Sequence, residues 1–106
     1  MTTEQKINKY LHNHKGELNA VHCIEMVRIF HLNPRTIRRC INNLRKSGVP
    51  ICSSEKGYWL GKSPTEVNKT IKHLGHIVNE INNTRSGLVA ASVKMLSAAE
   101  ISIEIK

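Results

Sequence analysis

The sequence contains no aspartate and few aromatic residues. All eight acidic residues are glutamates, and no glycine-rich phosphate loop, paired carboxylates, nucleophilic serine elbow or Cys–His signature stands out. These absences argue against an enzyme. Two tyrosines, one phenylalanine and one tryptophan are the only aromatic residues, which argues against binding single-stranded nucleic acid by base stacking.

Long apolar runs and paired cysteines are also missing. Residues 1–4 are polar and do not resemble a secretory signal, and the most apolar stretch, 88–99, contains Lys94 and is too short to cross a bilayer. The three cysteines form an odd set without the paired spacing of a structural zinc site. They are Cys23, Cys40 and Cys52. We therefore expect a cytoplasmic protein with no membrane partner, whose thiols are reduced and buried.

A metal site is weakly suggested by one group of residues. His73, His76 and Glu80 fall on one side of a predicted helix and could in principle supply three ligands. Exposed histidines beside a carboxylate are common on helices, and the chain has no aspartate to add a further ligand. We expect neither a metal nor a cofactor.

Positive charge is concentrated in the middle of the chain. The formal net charge is +8, and residues 34–62 contain seven cations and one anion, a net of +6. The segments on either side are each close to neutral. An excess of this kind favours a polyanionic partner.

Residues 34–47 predict a short helix with a capping residue at each end. Asn33 can cap the first turn, Pro34 suits the first helical position, and Gly48 supplies a left-handed stop. At about 100° per residue, apolar and polar side chains separate onto two sides. Ile37, Ile41 and Leu44 share one side, and Arg35, Arg39, Asn42 and Lys46 share the other.

The polar side carries the residue types that read base edges in a DNA major groove. Arginine binds guanine O6 and N7 with two hydrogen bonds, and asparagine binds adenine in the same way. Arg38 and Arg45 lie at the flanks of the helix, where they would face phosphates. The alternative is an amphipathic surface helix whose basic side is simply solvated. The candidate DNA-binding residues are Asn33, Arg35, Thr36, Arg38, Arg39, Asn42, Asn43, Arg45, Lys46 and Lys56.

The flanking segments favour a helix-turn-helix with a β ribbon. Residues 21–30 predict a preceding helix, and residues 31–33 the turn. Runs 49–53 and 58–60 predict two strands joined by a turn at 54–57. Upstream, residues 3–15 predict a first helix that Gly16 ends, and residues 17–20 either a short third strand or an approach segment. The expected core is Ile7, Leu11, Leu18, Ile24, Val27, Phe30, Leu32, Ile37, Ile41, Leu44, Ile51 and Trp59, with Trp59 holding the ribbon to the helices and Tyr58 facing away.

Residues 32–51 and the following Lys56-Gly57-Tyr58-Trp59-Leu60 resemble the winged helix-turn-helix module at the N-terminus of bifunctional biotin-ligase repressors. Many small bacterial and phage regulators contain the same module. The resemblance covers residues 5–61 and implies a recognition helix followed by a wing. His31 stands where such modules usually have glycine in the turn, so either this residue adopts a positive φ or the turn is reshaped. We expect no ligase domain, because only about 45 residues follow the wing, and no biotin chemistry is implied.

Residues 62–106 predict a helical region after a break at residues 61–64. Apolar residues spaced four and three apart form the seam of a short coiled coil. A break is expected at residues 82–87, a second helix at 88–99, and a strand-like or disordered tail at Ile101, Ile103 and Ile105. The exposed seam must pack on the preceding domain or on another subunit. The candidate dimerisation residues are Val67, Ile71, Leu74, Val78, Ile81 and Leu88.

These observations predict a mainly α fold with a small β wing, a winged helix-turn-helix followed by C-terminal helices. Residues 1–61 form the DNA-binding domain, and 62–106 the helical dimerisation region with its short tail. The expected function is a homodimeric, sequence-specific double-stranded DNA-binding regulator of transcription, of a phage-like type. Two alternatives stay open: a DNA-binding assembly factor in phage replication or packaging, and a winged helix that binds an acidic protein.

Overall fold

The computed structural model describes the backbone of residues 1–105 and the side chains of residues 1–98. It is mainly helical with one two-stranded antiparallel sheet, as the sequence predicts. The elements in chain order are α1 (Thr3–Leu11), a 3-10 turn (Glu17–Asn19), α2 (Cys23–Phe30), α3 (Pro34–Lys46), β1 (Ile51–Ser54), β2 (Gly57–Leu60) and α4 (Pro64–Ile105). Two compact units are present, and the boundary between them falls after Ile71, inside α4.

Helix α1 begins with a reciprocal cap and ends earlier than expected. The Thr2 hydroxyl accepts a hydrogen bond from the Gln5 amide, and the Gln5 side chain accepts one from the Thr2 amide. The helix stops at Leu11 instead of Lys15 because the following backbone pairs with the end of β2. The Leu60 amide donates to His14 O at 2.8 Å, and the Gly16 amide donates to Leu60 O at 3.0 Å.

The turn between α2 and α3 contains a left-handed residue, which is the first of the two alternatives for this position. His31 has φ +53° and ψ 42°. Helix α3 begins as the capping pattern predicts, because the Asn33 side chain accepts from the Thr36 amide at 2.8 Å and Pro34 occupies the first turn. It ends just before Gly48, whose φ is +99°.

The core of the first unit lacks two of the expected residues and includes three that the expected core did not contain, Val21, Met26 and Cys40. Leu18 is 95% exposed and Ile24 is 64% exposed, whereas Met26 is fully buried. Helix α2 begins only at Cys23, and the side that faces the core carries Cys23, Met26, Val27 and Phe30. Leu18 lies on the 3-10 turn, so it is not an inward position of a strand. The buried cluster consists of Ile7, Leu11, Val21, Met26, Ile37, Cys40, Ile41, Leu44 and Ile51.

Strands β1 and β2 form the predicted hairpin around a two-residue turn. Ser54 pairs with Gly57 and Ile51 with Leu60. Of the two alternatives for residues 17–20, the third strand is wrong, because Glu17–Asn19 forms the 3-10 turn. Its place at the edge of β2 is taken by a single antiparallel bridge, in which Val21 and Tyr58 exchange two backbone hydrogen bonds of 2.8 Å.

The two faces of the hairpin contact different helices. Ile51 belongs to the buried cluster of the first three helices, and Tyr58 packs against that cluster. Cys52 and Trp59 pair on the opposite face, where the Trp59 indole N–H donates to Glu66 of α4. Trp59 is therefore buried as expected, but the register directs it to α4, and Tyr58 makes the contact that was assigned to Trp59.

Helix α4 is continuous, which corrects three expectations. The predicted break at residues 82–87, the separate second helix at 88–99 and the strand-like tail are all wrong, because the backbone is helical through Ile105. The segment 82–87 contains no proline, and asparagine, threonine and glycine each reduce helix stability by only about 1 kcal/mol or less. The Thr84 hydroxyl also donates to the Glu80 carbonyl one turn earlier, at 3.0 Å, within the helical pattern. The side chains of Ile101, Ile103 and Ile105 lie outside the described residues.

Candidate nucleic-acid interface

Helix α3 is held by its apolar side and presents its cations on the other. Ile37, Cys40, Ile41 and Leu44 are buried against the first two helices and the hairpin. The exposed side chains of the candidate set on this helix are Arg35, Arg38, Arg39, Asn42, Asn43 and Lys46. Arg35, Arg39, Asn42 and Lys46 recur at intervals of four, three and four residues, so they follow one side of the helix.

Three members of the predicted set at the ends and edges of α3 are engaged within the chain. Asn33 caps the helix, and Thr36, whose amide receives that cap, is half-buried. The Asn43 side-chain amide donates to the Glu4 carboxylate at 2.7 Å and so links α3 to α1. These contacts orient the helix, and they occupy hydrogen-bonding groups that the sequence prediction assigned to DNA.

Arg45 connects α3 to the hairpin. Its Nε donates to the Ile51 carbonyl at 2.9 Å, and one terminal nitrogen donates to the Ser53 hydroxyl at 3.0 Å. The guanidinium also lies 5.9 Å from the centre of the Tyr58 ring, a cation–π distance. Burial lowers the pKa of Arg45 below its ordinary value. Both hydrogen bonds are made to the protein's own chain, so Arg45 fixes the position of the hairpin relative to α3.

Lys56 lies at the tip of the hairpin and forms an ion pair. Its Nζ is 3.2 Å from a carboxylate oxygen of Glu17, and both side chains are about half exposed. An ion pair at this exposure contributes about 0–1 kcal/mol, so a phosphate can displace the carboxylate at little cost.

Sequence reasoning missed the residues that engage Asn43, Arg45 and Lys56. These partners are Glu4, Ser53 and Glu17, together with the carbonyl of Ile51. Asn43 and Glu4 are 39 positions apart, and no local pattern connects residues at such a distance. The contact from Arg45 to Ser53 could have been found by placing the predicted hairpin beside the end of α3.

The thiols behave as expected of small buried groups. Cys40 and Cys52 are buried, Cys23 is half-buried, and all three are free. Burial raises the pKa of Cys40 and of Cys52 above the ordinary value. Cys52 also contacts Thr70, whose hydroxyl accepts a hydrogen bond from the Ser53 amide at 3.3 Å.

The predicted dimerisation residues lie along α4. Val67 is half-buried near the start of the helix, where its side chain lies against Gly61. The others are exposed; they are Ile71, Leu74, Val78, Ile81 and Leu88.

Other kinds of site receive no support from the described residues. No three His, Cys or Glu side chains come together among residues 1–98 in a way that would hold a metal. Among residues 1–105, no helix has both the length and the apolarity of a membrane span. Comparison with known proteins found no matching family model, curated protein or solved structure.

Proposed function

We propose that this protein is a sequence-specific double-stranded DNA-binding regulator of transcription. In this proposal residues 1–61 act as a winged helix-turn-helix, α3 is the recognition helix and the hairpin is the wing. The observation that carries the proposal is the division of α3, whose apolar residues are buried while Arg35 and Arg39 are exposed on the opposite side. A rigidly anchored helix with free guanidinium groups suits a major groove, which is about 12 Å wide.

The exposed residues divide into two roles. Arg35, Arg39 and Asn42 share the middle of the exposed side, and we assign them to base edges, since arginine and asparagine make two-pronged contacts with guanine and adenine. Arg38 lies nearer the edge of the exposed side and Lys46 lies at the C-terminal end of α3, and we assign both to phosphates. Arg45 and Asn43 form hydrogen bonds within the chain, so we assign neither of them to DNA.

The hairpin tip supplies a further contact in this proposal. Lys56 exchanges the carboxylate of Glu17 for a phosphate when the recognition helix enters the groove. Such a contact adds affinity on every sequence without selecting bases. A transcription regulator works in the compartment that holds the DNA, so we also propose a cytoplasmic location.

The experiment is a selection from a random duplex library at about 0.15 M salt, followed by footprinting of the enriched fragments. We expect one enriched sequence, and in a dimer two half-sites separated by about 34 Å. The variant Arg35→Ala/Arg39→Ala should lose this enrichment. The control Lys6→Ala/Lys9→Ala removes the same charge from the exposed side of α1 and should keep it.

Other outcomes would redirect the assignment. Long footprints without a preferred sequence would indicate an assembly factor that coats DNA. Negligible binding at this salt concentration would overturn DNA binding and favour an acidic protein partner.

A further inference from the structure

The apolar side of α4 is exposed in the single chain, and its residues indicate which partner would cover it. We propose that α4 pairs with α4 of a second copy of this chain as a parallel two-stranded coiled coil, with the two Arg85 side chains as its one charged layer. This inference concerns the second unit, from Lys72 onward, and does not depend on DNA binding.

Nine large apolar side chains of this unit share one side of the helix. At about 100° per residue they span an arc of roughly 160°. They are Leu74, Ile77, Val78, Ile81, Leu88, Val89, Val93, Met95 and Leu96, and their exposed fractions range from 37% to 73%. The segment 82–87 has no large apolar side chain, but the helix continues through it, so the apolar residues before and after it stay on one side.

The charges of this unit lie almost entirely on the other side. Between residues 72 and 98 the charged residues are Lys72, Glu80, Arg85 and Lys94. Lys72, Glu80 and Lys94 project roughly opposite the apolar side, whereas Arg85 falls near its middle. Two copies, each with a formal charge of +8, can therefore approach along this side with a single layer of like charges.

The exposed area matches what a specific dimer buries. A large aliphatic side chain removes about 100 Å² of apolar surface from water when fully buried, and these nine are a little over half exposed. Pairing two copies would bury roughly 1,000 Å² of apolar surface before flanking atoms are counted, which reaches the size of a specific interface. Each copy contributes about 500 Å² of this surface, which lies toward the upper end of the range for the largest apolar patch on a typical monomer.

The spacing identifies the geometry of the pair. Leu74, Val78, Ile81, Arg85, Leu88, Ser92 and Met95 follow one another at alternating intervals of four and three residues. In heptad terms Val78, Arg85 and Ser92 occupy position a, and Leu74, Ile81, Leu88 and Met95 occupy position d. Val78 is β-branched at a, and Leu74 and Leu88 stand at d, a combination that favours two parallel strands. Arg85 and Ser92 place polar layers at the other two a positions, and polar layers at a fix register at a cost in stability.

The test is the mass of the full chain in solution, measured by sedimentation equilibrium without DNA. We expect a dimer. Ile81→Lys should dissociate it, whereas Asn83→Lys, two residues away on the opposite side, should leave it intact. Arg85→Leu should strengthen the dimer at least tenfold while the mass stays that of two chains, which distinguishes tighter pairing from aggregation of a misfolded chain. A monomeric wild-type chain at high concentration would overturn the proposal.

Orientation is tested by crosslinking under oxidising conditions. Ser92→Cys should form an intermolecular disulfide in a parallel pair, because the two residues at one a position meet across the seam. Ser97→Cys, on the opposite side of the helix, should not. Equal crosslinking of both variants, or binding of the wild-type monomer to phospholipid vesicles through this side, would contradict the pairing.

Discussion

The Nε–H of Arg45 donates to the carbonyl oxygen of Ile51 across 2.9 Å, which joins the last turn of α3 to the first residue of β1. The same guanidinium reaches Ser53 two residues further along the strand. An arginine that sequence analysis assigns to phosphate contact is therefore a structural link. For Arg45 we therefore predict an effect on the free energy of unfolding.

Replacing Arg45 by alanine should lower the free energy of unfolding by about 1–3 kcal/mol, since two acceptors lose their donor in a half-buried setting. Arg45→Lys should recover only part of the loss, because lysine cannot present two donors in one plane. Urea unfolding measures both. Arg39→Ala, on the exposed side, should change stability by less than about 0.5 kcal/mol. An unchanged midpoint for Arg45→Ala would show that the two hydrogen bonds contribute nothing.

Arg39→Ala should weaken binding to the selected DNA sequence by about 1–3 kcal/mol and relax base preference at one position, if the residue reads a base edge. Arg38→Ala should weaken selected and random sequences by similar factors. Fluorescence anisotropy titrations on both duplexes measure the difference. Equal losses for Arg39→Ala on the two duplexes would reassign this residue to the phosphates.

The hairpin tip should contribute to the salt dependence of DNA affinity. Lys56→Ala should reduce the slope of log affinity against log salt by about one ion, on every sequence. Glu17→Gln should raise the affinity for DNA, because it frees Lys56 from its carboxylate partner. If both variants kept the wild-type slope and affinity, the hairpin would lie outside the contact surface.

Two glycines should respond to alanine in opposite directions. At Gly57 the φ of +115° is unfavourable for alanine, and an added Cβ would lie 2.3 Å from the Val21 carbonyl oxygen, so Gly57→Ala should destabilise the first unit by several kcal/mol. At Gly87 an added Cβ has open space in the middle of α4, so Gly87→Ala should stabilise the helix by about 1 kcal/mol. Thermal melts followed by circular dichroism distinguish the two. A stabilising effect at Gly57 would contradict the described bridge to Val21.

Stability should fall in alkaline solution. Desolvation by burial raises the pKa of Cys40, Cys52, Tyr10 and Tyr58 above the values that these groups have when exposed. The unfolded chain therefore loses these protons first, so their contribution is complete below the ordinary thiol pKa of 9.0 and disappears as the pH rises beyond it. Urea unfolding at intervals from about pH 8 to about pH 10.5 tests this. Tyr58→Phe should make the decline shallower at the upper end, and an unchanged slope would remove Tyr58 from the titrating set.

Local signals in the sequence predict local structure well in this chain. The ends of α3 were predictable because Asn33, Pro34 and Gly48 act on backbone within a few residues of themselves. The hairpin turn was predictable for the same reason. Helix α2 was predicted, although it begins at Cys23 and not at residue 21, and its inward Val27 and Phe30 were predicted as well. Only Ile24 was wrong, because Ile24 and Met26 are both apolar and the contact with neighbouring helices decides between them.

Contacts between distant residues account for the remaining errors. Helix α1 ends early because the backbones of His14 and Gly16 form hydrogen bonds with Leu60 of β2. The sequence of α1 does not reveal these bonds. Trp59 turns toward α4 because strand pairing places it opposite Cys52. The engagement of Arg45, Asn43 and Lys56 likewise depends on residues elsewhere in the chain. The exposed positions Arg35, Arg39 and Asn42, by contrast, followed directly from helical periodicity.

The hydrogen bond between Trp59 and Glu66 provides the molecule with an intrinsic fluorescence probe at a useful place. Trp59 is the single tryptophan of the chain, and its indole is 2% exposed where the first turns of α4 meet the hairpin. Release of those turns would hydrate the indole and shift its emission to longer wavelength, even while helical content stayed constant. The emission wavelength of Trp59 can thus report detachment of the first turns of α4 from the hairpin separately from global unfolding, without an added label.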